Sequence, residues 1–519
     1  MSESLPRNWT LGTISDIAEV NPSGSTVAAG DRELVTFLPM AAVEELSGKI
    51  DVSAERPFAE VKKNFTRFRE DDVLFAKITP SMENGKVAVA RGLRSGIGCG
   101  TTEFHVIRPA SEVAPDYLRL FLVQTRYRQE AKRNMQGAVG QQRVPPDFVR
   151  ESPIPVAPAK EQQRIISKID ELFSRIEEGE QALKRVEKLV ERYRQSVLKA
   201  AVTGELTRDW REARTRAGGR MESGEALLAR ILKARRTSWE AAELAKFKAK
   251  GKTPANDRWK QKYAEPRRAD TPNLPELPEG WVWVTVEQLA APEKNSVTDG
   301  PFGANLKTEH YTDAGPRVVR LQNIKDGFFS HDKAHISEEH FQRLQKHRVF
   351  AGDLLLAALG ETLPRACIAP ASLGPAIVKA DCIRFKPSSR VSSGCLMAFL
   401  NAEPTRQRTA AIVHGVGRPR LNLAEIRSLA VPLPSEAEQQ EIASRIEMQL
   451  NSASQLALSL VTQTAYAHGL RQSILGAAFS GQLVPQDSND EPASKLLERI
   501  AAERTETARA IRKRKKKVA

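Results

Sequence analysis

Cysteine is scarce: four in 519 residues (Cys99, Cys367, Cys382 and Cys395), with no CxxC spacing. That excludes a zinc knuckle and a disulfide framework and predicts buried free thiols. No apolar run approaches the roughly 18 residues of a membrane span, and the opening Met1-Ser2-Glu3-Ser4-Leu5-Pro6 lacks the apolar core of a signal peptide. A cytoplasmic protein with no membrane partner is expected. No GxxxxGK[ST] phosphate loop is present, so ATP hydrolysis by this chain is not expected. Gly96-Ile97-Gly98-Cys99-Gly100 lacks both the complete GxGxxG pattern and a helix after it, and reads as a turn between strands. Asn21-Pro22-Ser23-Gly24 lacks the aromatic residue that would stack a flipped base, and also reads as a turn. Pro115-Asp116 and Glu130-Ala131-Lys132 follow the residue order of a metal-dependent nuclease, but they fall at opposite ends of one predicted helix, more than about 20 Å apart. His331 and His335 have the spacing of a shared helix face but lack a third ligand, and read as surface histidines. No metal site and no catalytic constellation are therefore expected.

Negative charge is also in deficit. Lys and Arg number 79 against 64 Asp and Glu, a formal charge of +15 and a pI near 9.6, which makes a polyanion the first partner to consider. At 40% hydrophobic content the chain can bury real cores in two to four domains.

What the chain has is a repeat. Glu161-Gln162-Gln163 returns as Glu438-Gln439-Gln440, and Arg194-Gln195-Ser196-Val197-Leu198 as Arg471-Gln472-Ser473-Ile474-Leu475, at one gapless offset of 277 residues. In the first copy Ile165, Ile169, Leu172, Ile176, Leu183, Val186, Val190, Tyr193 and Val197 alternate steps of four and three, with one slot missed at Gly179. That is a coiled-coil period. The second copy keeps it at Ile442, Ile446, Leu456, Leu460, Leu470 and Ile474 but places Gln449 and Gln463 in register. Each copy ends at a glycine suited to a helix C-cap, Gly204 and Gly481. About 40 helical residues make a rod of about 60 Å, so the expected architecture is two globular heads held apart by a helix pair.

The heads repeat as well. Leu5-Pro6-Arg7-Asn8-Trp9 and Leu277-Pro278-Glu279-Gly280-Trp281 open them; Val35–Met40 and Val318–Asn323 read as strands, as do the apolar runs Asp72–Ala76 and Asp353–Ala357. Residues 116–133 and 395–411 read as helices. Pro153-Ile154-Pro155 and Val431-Pro432-Leu433-Pro434 read as stiff connectors into the long helices. The fold class is α/β with mixed α+β heads. Its expected segments are head 1 (1–155), long helix 1 (156–206), a basic helical insert (207–276, with a helix over Ala226–Leu244), head 2 (277–434), long helix 2 (435–485) and a basic tail (486–519). In the tail Lys495-Leu496-Leu497-Glu498-Arg499-Ile500 echoes Ala226-Leu227-Leu228-Ala229-Arg230-Ile231, and the run Arg512–Lys517 is expected to be disordered by like-charge repulsion.

Polar and basic loops on the heads are the candidate binding residues. Gly137–Arg143 and Gly415–Arg420 occupy equivalent places, and Gln and Arg make paired hydrogen bonds to adenine and guanine edges. The candidates for DNA contact are Lys77, Arg91, Arg94, Gln141, Gln142 and Arg143 in head 1, with Arg320, Asn323, Lys325, Arg418 and Arg420 in head 2.

The Leu-Pro-x-x-Trp openings, proline connectors, Glu-Gln-Gln helix starts and Arg-Gln-Ser-[Val/Ile]-Leu near the helix ends together make the chain similar, over nearly its whole length, to the specificity subunits of type I restriction-modification systems. That resemblance implies two target recognition domains, each reading half of a split, asymmetric site in double-stranded DNA, and long helices forming an antiparallel coiled coil. It implies a non-catalytic reader docked by two modification subunits, which carry S-adenosylmethionine and methylate adenine, and by restriction subunits, which use ATP and Mg to translocate and cut. The chain itself would hold no cofactor. The alternatives are a fused DNA-modifying or DNA-cleaving enzyme, against which the missing motifs argue, and a structural coiled-coil adaptor.

Overall fold

The computed structural model describes residues 5–23, 27–138, 140–219, 222–415 and 417–518, with the backbone alone at Ser454, Leu458, Ala465, His468 and 508–518. The chain divides into two compact units, Met1–Lys184 with Val461–Ala519, and Arg185–Leu460.

In unit 1 the head contains three sheets. Strands β1 (Thr10–Thr13), β2 (Ala18–Val20), β3 (Leu34–Leu38), β4 (Glu55–Pro57), β5 (Thr66–Arg69), β6 (Val73–Ala76), β7 (Val87–Val89), β8 (Ile97–Gly100), β9 (Phe104–Pro109) and β10 (Pro153–Val156) form the orders β1-β10, β2-β9-β6-β7 and β4-β3-β8-β5. Every residue of β6 is buried, which is why its sequence is a continuous apolar run with no alternation. Behind it the helices Pro115–Leu122 and Thr125–Arg133 supply Tyr117, Leu118, Phe121 and Tyr127 to the main core.

Unit 2 repeats that plan. Strands β11 (Val282–Thr285), β12 (Val297–Asp299), β13 (Tyr311–Val319), β14 (His335–Ile336), β15 (Arg348–Val349), β16 (Leu354–Ala357), β17 (Arg365–Ile368), β18 (Ala376–Val378), β19 (Cys382–Phe385) and β20 (Ala430–Leu433) form β11-β20, β12-β19-β16-β17 and β14-β13-β18-β15. In each head one pairing is parallel, β3 with β8 and β13 with β18, and the others are antiparallel. A buried ion pair pins each head at equivalent strand ends: Arg108 Nε and Asp72 Oδ1 at 2.7 Å, Arg384 Nε and Asp353 Oδ2 at 2.6 Å. The four cysteines are buried and free, as expected from their spacing.

Several local expectations differ from the structure. The proline segments are strands: Pro153 and Pro155 sit opposite Thr13 and Leu11, and Pro432 sits opposite Trp283. Prolines two apart share one edge of a two-stranded ladder, where the missing N–H breaks no interstrand bond. Each expected head helix is two, Pro115–Leu122 with Thr125–Arg133 and Ser393–Asn401 with Glu403–Ala410, broken at an extended Gln124 and Ala402. Ile97–Gly100 is a strand whose turn lies just before it, because Gly98 lets the Phe68 ring lie where a Cβ would stand, 2.0 Å from its Cε2. His335 is in β14 and His331 in the loop before it, so no helix face joins them. The tail is a helix over Ala493–Val518, whose first two turns dock Ala493, Leu496 and Ile500 into the head.

The long helices span Ala159–Val202 and Glu436–Phe479. Within unit 1 the start of the first lies beside the segment that follows the end of the second, with Glu161 bonded to Gln486 and Arg164 to Asp490, so the two run antiparallel. Burial concentrates where the helices meet head residues, at Ile165, Ile169, Ile474 and Leu475 in unit 1 and Val197, Leu198, Ile442 and Ile446 in unit 2. Tyr193, Leu456 and Leu470, expected in the seam, are exposed. Gly179, Gln449 and Gln463 occupy slots of the same register and add no apolar side chain to it.

Candidate nucleic-acid interface

In head 1 the chain leaves β6 through Lys77, Ile78 and Thr79, and a hairpin closed by Gln136 and Arg143 lies against this exit. Val144 N donates to Lys77 O at 2.9 Å, Thr79 N to Gln142 O at 3.1 Å, and Gln142 N to Thr79 Oγ1 at 3.0 Å. Gly137 and Gly140 have φ of 118° and 85°, which lets the tip turn back within six residues. Arg143 grips Glu103 in a bidentate pair at 2.9 and 2.8 Å. Lys77 is half-buried beside them; burial lowers its pKa, Glu103 opposes that, and Arg143 lowers it further. Together Lys77, Gln141, Gln142 and Arg143 make one cluster, next to a concave pocket of about 300 Å³ lined by Asn21, Phe65, Arg67, Lys77 and Phe104.

Head 2 makes the same construction from different residues. The exit of β16, at Leu359 and Gly360, is bridged to the hairpin closed by His414 and Arg420, with Gly360 N donating to Pro419 O at 3.1 Å. Gly415 and Gly417 again have positive φ. Arg420 pairs with Asp381, while Arg418 is exposed and has no ion pair among the described residues. Val139, Val416 and Gly24 lie outside the described residues.

The remaining candidates fall elsewhere. Arg91 is held between Asp71 at 3.3 Å and Asp116 at 2.7 Å, and Arg94 lies 3.9 Å from Glu55 on the turn before β8. Asp116 is thereby occupied by Arg91 and Arg119, and Lys132 by Glu83, so the nuclease-like order of Asp116, Glu130 and Lys132 assembles nothing. Arg320, Asn323 and Lys325 share the loop after β13, but Asn323 is fully buried. Its Nδ2 donates to Ser330 O and Asp332 O and its Oδ1 accepts from Arg320 N, so it holds the loop and offers nothing to a ligand. Arg320 pairs with Asp332 at 2.9 Å, and Lys325 is exposed. His105, behind the head 1 cluster, is buried against Val144 O, and burial lowers its pKa to about 4, so it stays neutral near pH 7.

The acidic partners of these arginines went unread in the sequence. Glu103 and Asp381 both stand at the entry of the strand that pairs with the central one, an echo visible at an offset of 278 residues. Among the described residues no group of three or more His, Cys, Asp or Glu side chains is placed to hold a metal ion, and no helix is long and apolar enough to cross a membrane.

The motifs that frame the heads acquire physical meanings. Gln162 takes the Ala114 N–H at 3.1 Å and gives to Ala157 O at 2.9 Å; Gln439 takes Ser392 N–H at 2.8 Å and gives to Pro434 O at 3.2 Å. The first glutamine of each Glu-Gln-Gln thus ties the long helix to the start of a head helix. The proline of each opening lies against a helix-ending glycine, Pro278 against Gly204 and Pro6 against Gly481, where an added Cβ would stand 2.4 and 2.2 Å from the ring.

Two like heads with exposed polar hairpins and two long helices define a doubled reader. The family description "Type I restriction modification DNA specificity domain" matches residues 6–188 and 306–456, and the chain belongs to that family. Relatives include the type I restriction enzyme EcoAI specificity subunit of Escherichia coli, 27% identical over 92% of this chain and 83% of the relative. The EcoEI specificity subunit of Escherichia coli is 27% identical over 85% and 78%. A solved structure described as the structural basis of complex assembly and conformational transition of the type I R-M system shares the fold, with a TM-score of 0.61 at 17% identity over 92% of this chain and 99% of that one.

Proposed function

We propose that this chain is the DNA sequence-recognition subunit of a type I restriction-modification complex, each head reading one half of a bipartite, asymmetric site. The observation that carries this is the pairing of a repeated framework with unrepeated hairpins. The sheets, the buried ion pairs and the helix ties recur in both heads, while Gln141-Gln142-Arg143 and Arg418-Pro419-Arg420 differ at equivalent places. A common scaffold presenting different side chains reads different bases.

Modification and restriction subunits supply the chemistry and hold S-adenosylmethionine, ATP and Mg; the chain reads and docks. Mapping methylated adenines in the host genome tests this, and the expected result is a split motif with two constant halves and a fixed gap. A continuous or palindromic motif would refute it. Purified chain alone, given duplex DNA, Mg²⁺ and S-adenosylmethionine, should neither methylate nor cut; turnover above background would favour the fused-enzyme reading.

A further inference from the structure

The insert between the first long helix and head 2 is built as a basic finger. Its helix, Gly224–Ala249, is anchored at one end by Leu227 and Ile231, buried in the core of head 2, and by Arg235, which donates to Glu287 O. The returning segment is anchored too, with Pro266 buried and Thr285 Oγ1 donating to Arg267 O at 2.9 Å. Between these anchors the helix and the turn Asp257–Lys262 are zipped by aromatics. Trp239 stacks on Trp259 with centroids 6.0 Å apart, Tyr263 packs at 5.3 Å from Trp239, and Phe247 meets Trp259 edge-on at 6.2 Å. A solvated linker would have no such core.

Residues 233–268 hold twelve Lys and Arg against four Asp and Glu. All four carboxylates are taken by cations of the finger: Glu240 and Glu265 by Arg236, Glu243 by Lys246, and Asp257 by Lys260. Lys248, Lys250, Lys252, Arg258 and Lys262 are exposed and make no ion pair among the described residues. One or two cations are enough to serve a helix C-terminus. Five unpaired cations, on the helix end, the loop after it and the turn packed against the helix, make a positive surface that suits an extended polyanion.

We propose that this finger grips the phosphate backbone of the duplex DNA that head 2 reads, adding affinity without sequence preference. The inference rests on the DNA-reading function proposed above. Phosphate contacts by lysine release counterions, so each contact steepens the salt dependence of binding by about 0.9 in log–log slope.

The test compares the wild-type complex with the variant Lys248→Gln/Lys250→Gln/Lys252→Gln/Lys262→Gln. The probes are a 50-base-pair duplex carrying the motif read from host methylation and one of scrambled sequence. The salt slope should fall by about 3.6 for both duplexes, with affinity lower by at least tenfold near 0.15 M salt and the ratio between duplexes unchanged. Lys→Arg at the same four positions should keep the wild-type slope. An unchanged slope, a changed preference between duplexes, or loss of partner-subunit assembly instead of DNA affinity would overturn the proposal. Failure of the wild type to prefer the methylated motif would instead overturn the function on which it rests.

Discussion

Glu161 and Glu438 occupy the same place in the repeat, are both about 1 to 2% exposed, and are satisfied in opposite ways. Glu438 accepts from Arg211 at 2.5 Å, Thr207 at 2.7 Å and the Trp281 indole at 2.9 Å. Glu161 accepts from Gln486, a neutral amide, at 2.6 Å, while Arg164 nearby is engaged by Asp490 at 2.5 Å. In both units the partner comes from the segment that follows a long helix. The topology of the seal is therefore repeated, through Gly224 N to Gly280 O and Ala493 N to Asn8 O, but its charge is not. Framework geometry is set by backbone and packing, whereas the ionisation of a buried carboxylate is set by whichever side chain reaches it.

The same divergence occurs at the other end of the helices. Gln472 Oε1 accepts from Thr125 N at 3.0 Å, at the start of a head helix. The equivalent helix in unit 2 has Pro404 in its first turn, and Gln195 Oε1 is buried without a hydrogen bond. Arg471 pairs with Glu180 on the neighbouring long helix, whereas Arg194 reaches Asp326 in head 2, 3.7 Å away, and the carbonyl of the same residue. Unit 1 thus uses the Arg-Gln pair to join helix to helix and helix to head, and unit 2 spends the arginine on the head.

The largest expected break in the comparison is at Arg211. Arg211→Met leaves the Glu438 carboxylate buried without its counter-charge, and should lower local stability of unit 2 by about 3 kcal/mol. Gln486→Ala in unit 1 removes the hydrogen bond to Glu161 and a longer one to Gly481 O, and should cost about 1 to 2 kcal/mol. Amide hydrogen exchange at residues 438–447 and 161–170 reads each seal separately. Equal losses in the two units would mean that the charge difference has no energetic consequence.

A smaller effect should be shared by both units. Gly204 and Gly481 have φ of 78° and 74°, and each faces a proline where a Cβ would stand. Gly→Ala at either position should cost about 1 to 2 kcal/mol from the left-handed backbone, plus whatever the proline must yield. Pairing Gly204→Ala with Pro278→Ala should recover only the second part. If one glycine tolerated alanine and the other did not, the helix ends would be less alike than their motifs.

Much of the framework could be read beforehand because it consists of properties a sequence carries: an offset, a heptad period, an unbroken apolar run such as Val73–Ala76. The seal could not. Arg211 and Gln486 do not align in the repeat, lie 227 and 325 residues from the carboxylates they serve, and are ordinary surface residue types. The candidate site was half legible for a related reason. Gly137–Arg143 and Gly415–Arg420 stood out by their glycines and their matching places, but Asn323 looked like a donor for bases until its loop showed both ends of the amide consumed by Ser330, Asp332 and Arg320. Of the heptad positions, Tyr193, Leu456 and Leu470 proved exposed, since a period reports which residues share a face and not whether anything covers it.

The smallest effect separates the units most cleanly, because its sign differs between them. Burial raises the Glu161 carboxyl above its ordinary value; the Gln486 amide and the Arg164 charge oppose that only in part, and Asp490 adds to it. The folded protein therefore binds this proton more tightly than the unfolded chain. The group's contribution to stability is complete below the ordinary carboxylate range and is lost as pH rises through the folded value. Glu161→Gln fixes the neutral form, so the variant should match wild type near pH 4 and gain on it progressively above, holding the gain through neutrality. Glu438→Gln discards the charge that Arg211 needs, and should destabilise unit 2 at neutral pH. Hydrogen exchange at the two helix starts, followed from pH 4 to pH 8, distinguishes the cases. The same substitution at repeated positions should stabilise one start and loosen the other; a common sign would show that the two carboxylates are held alike.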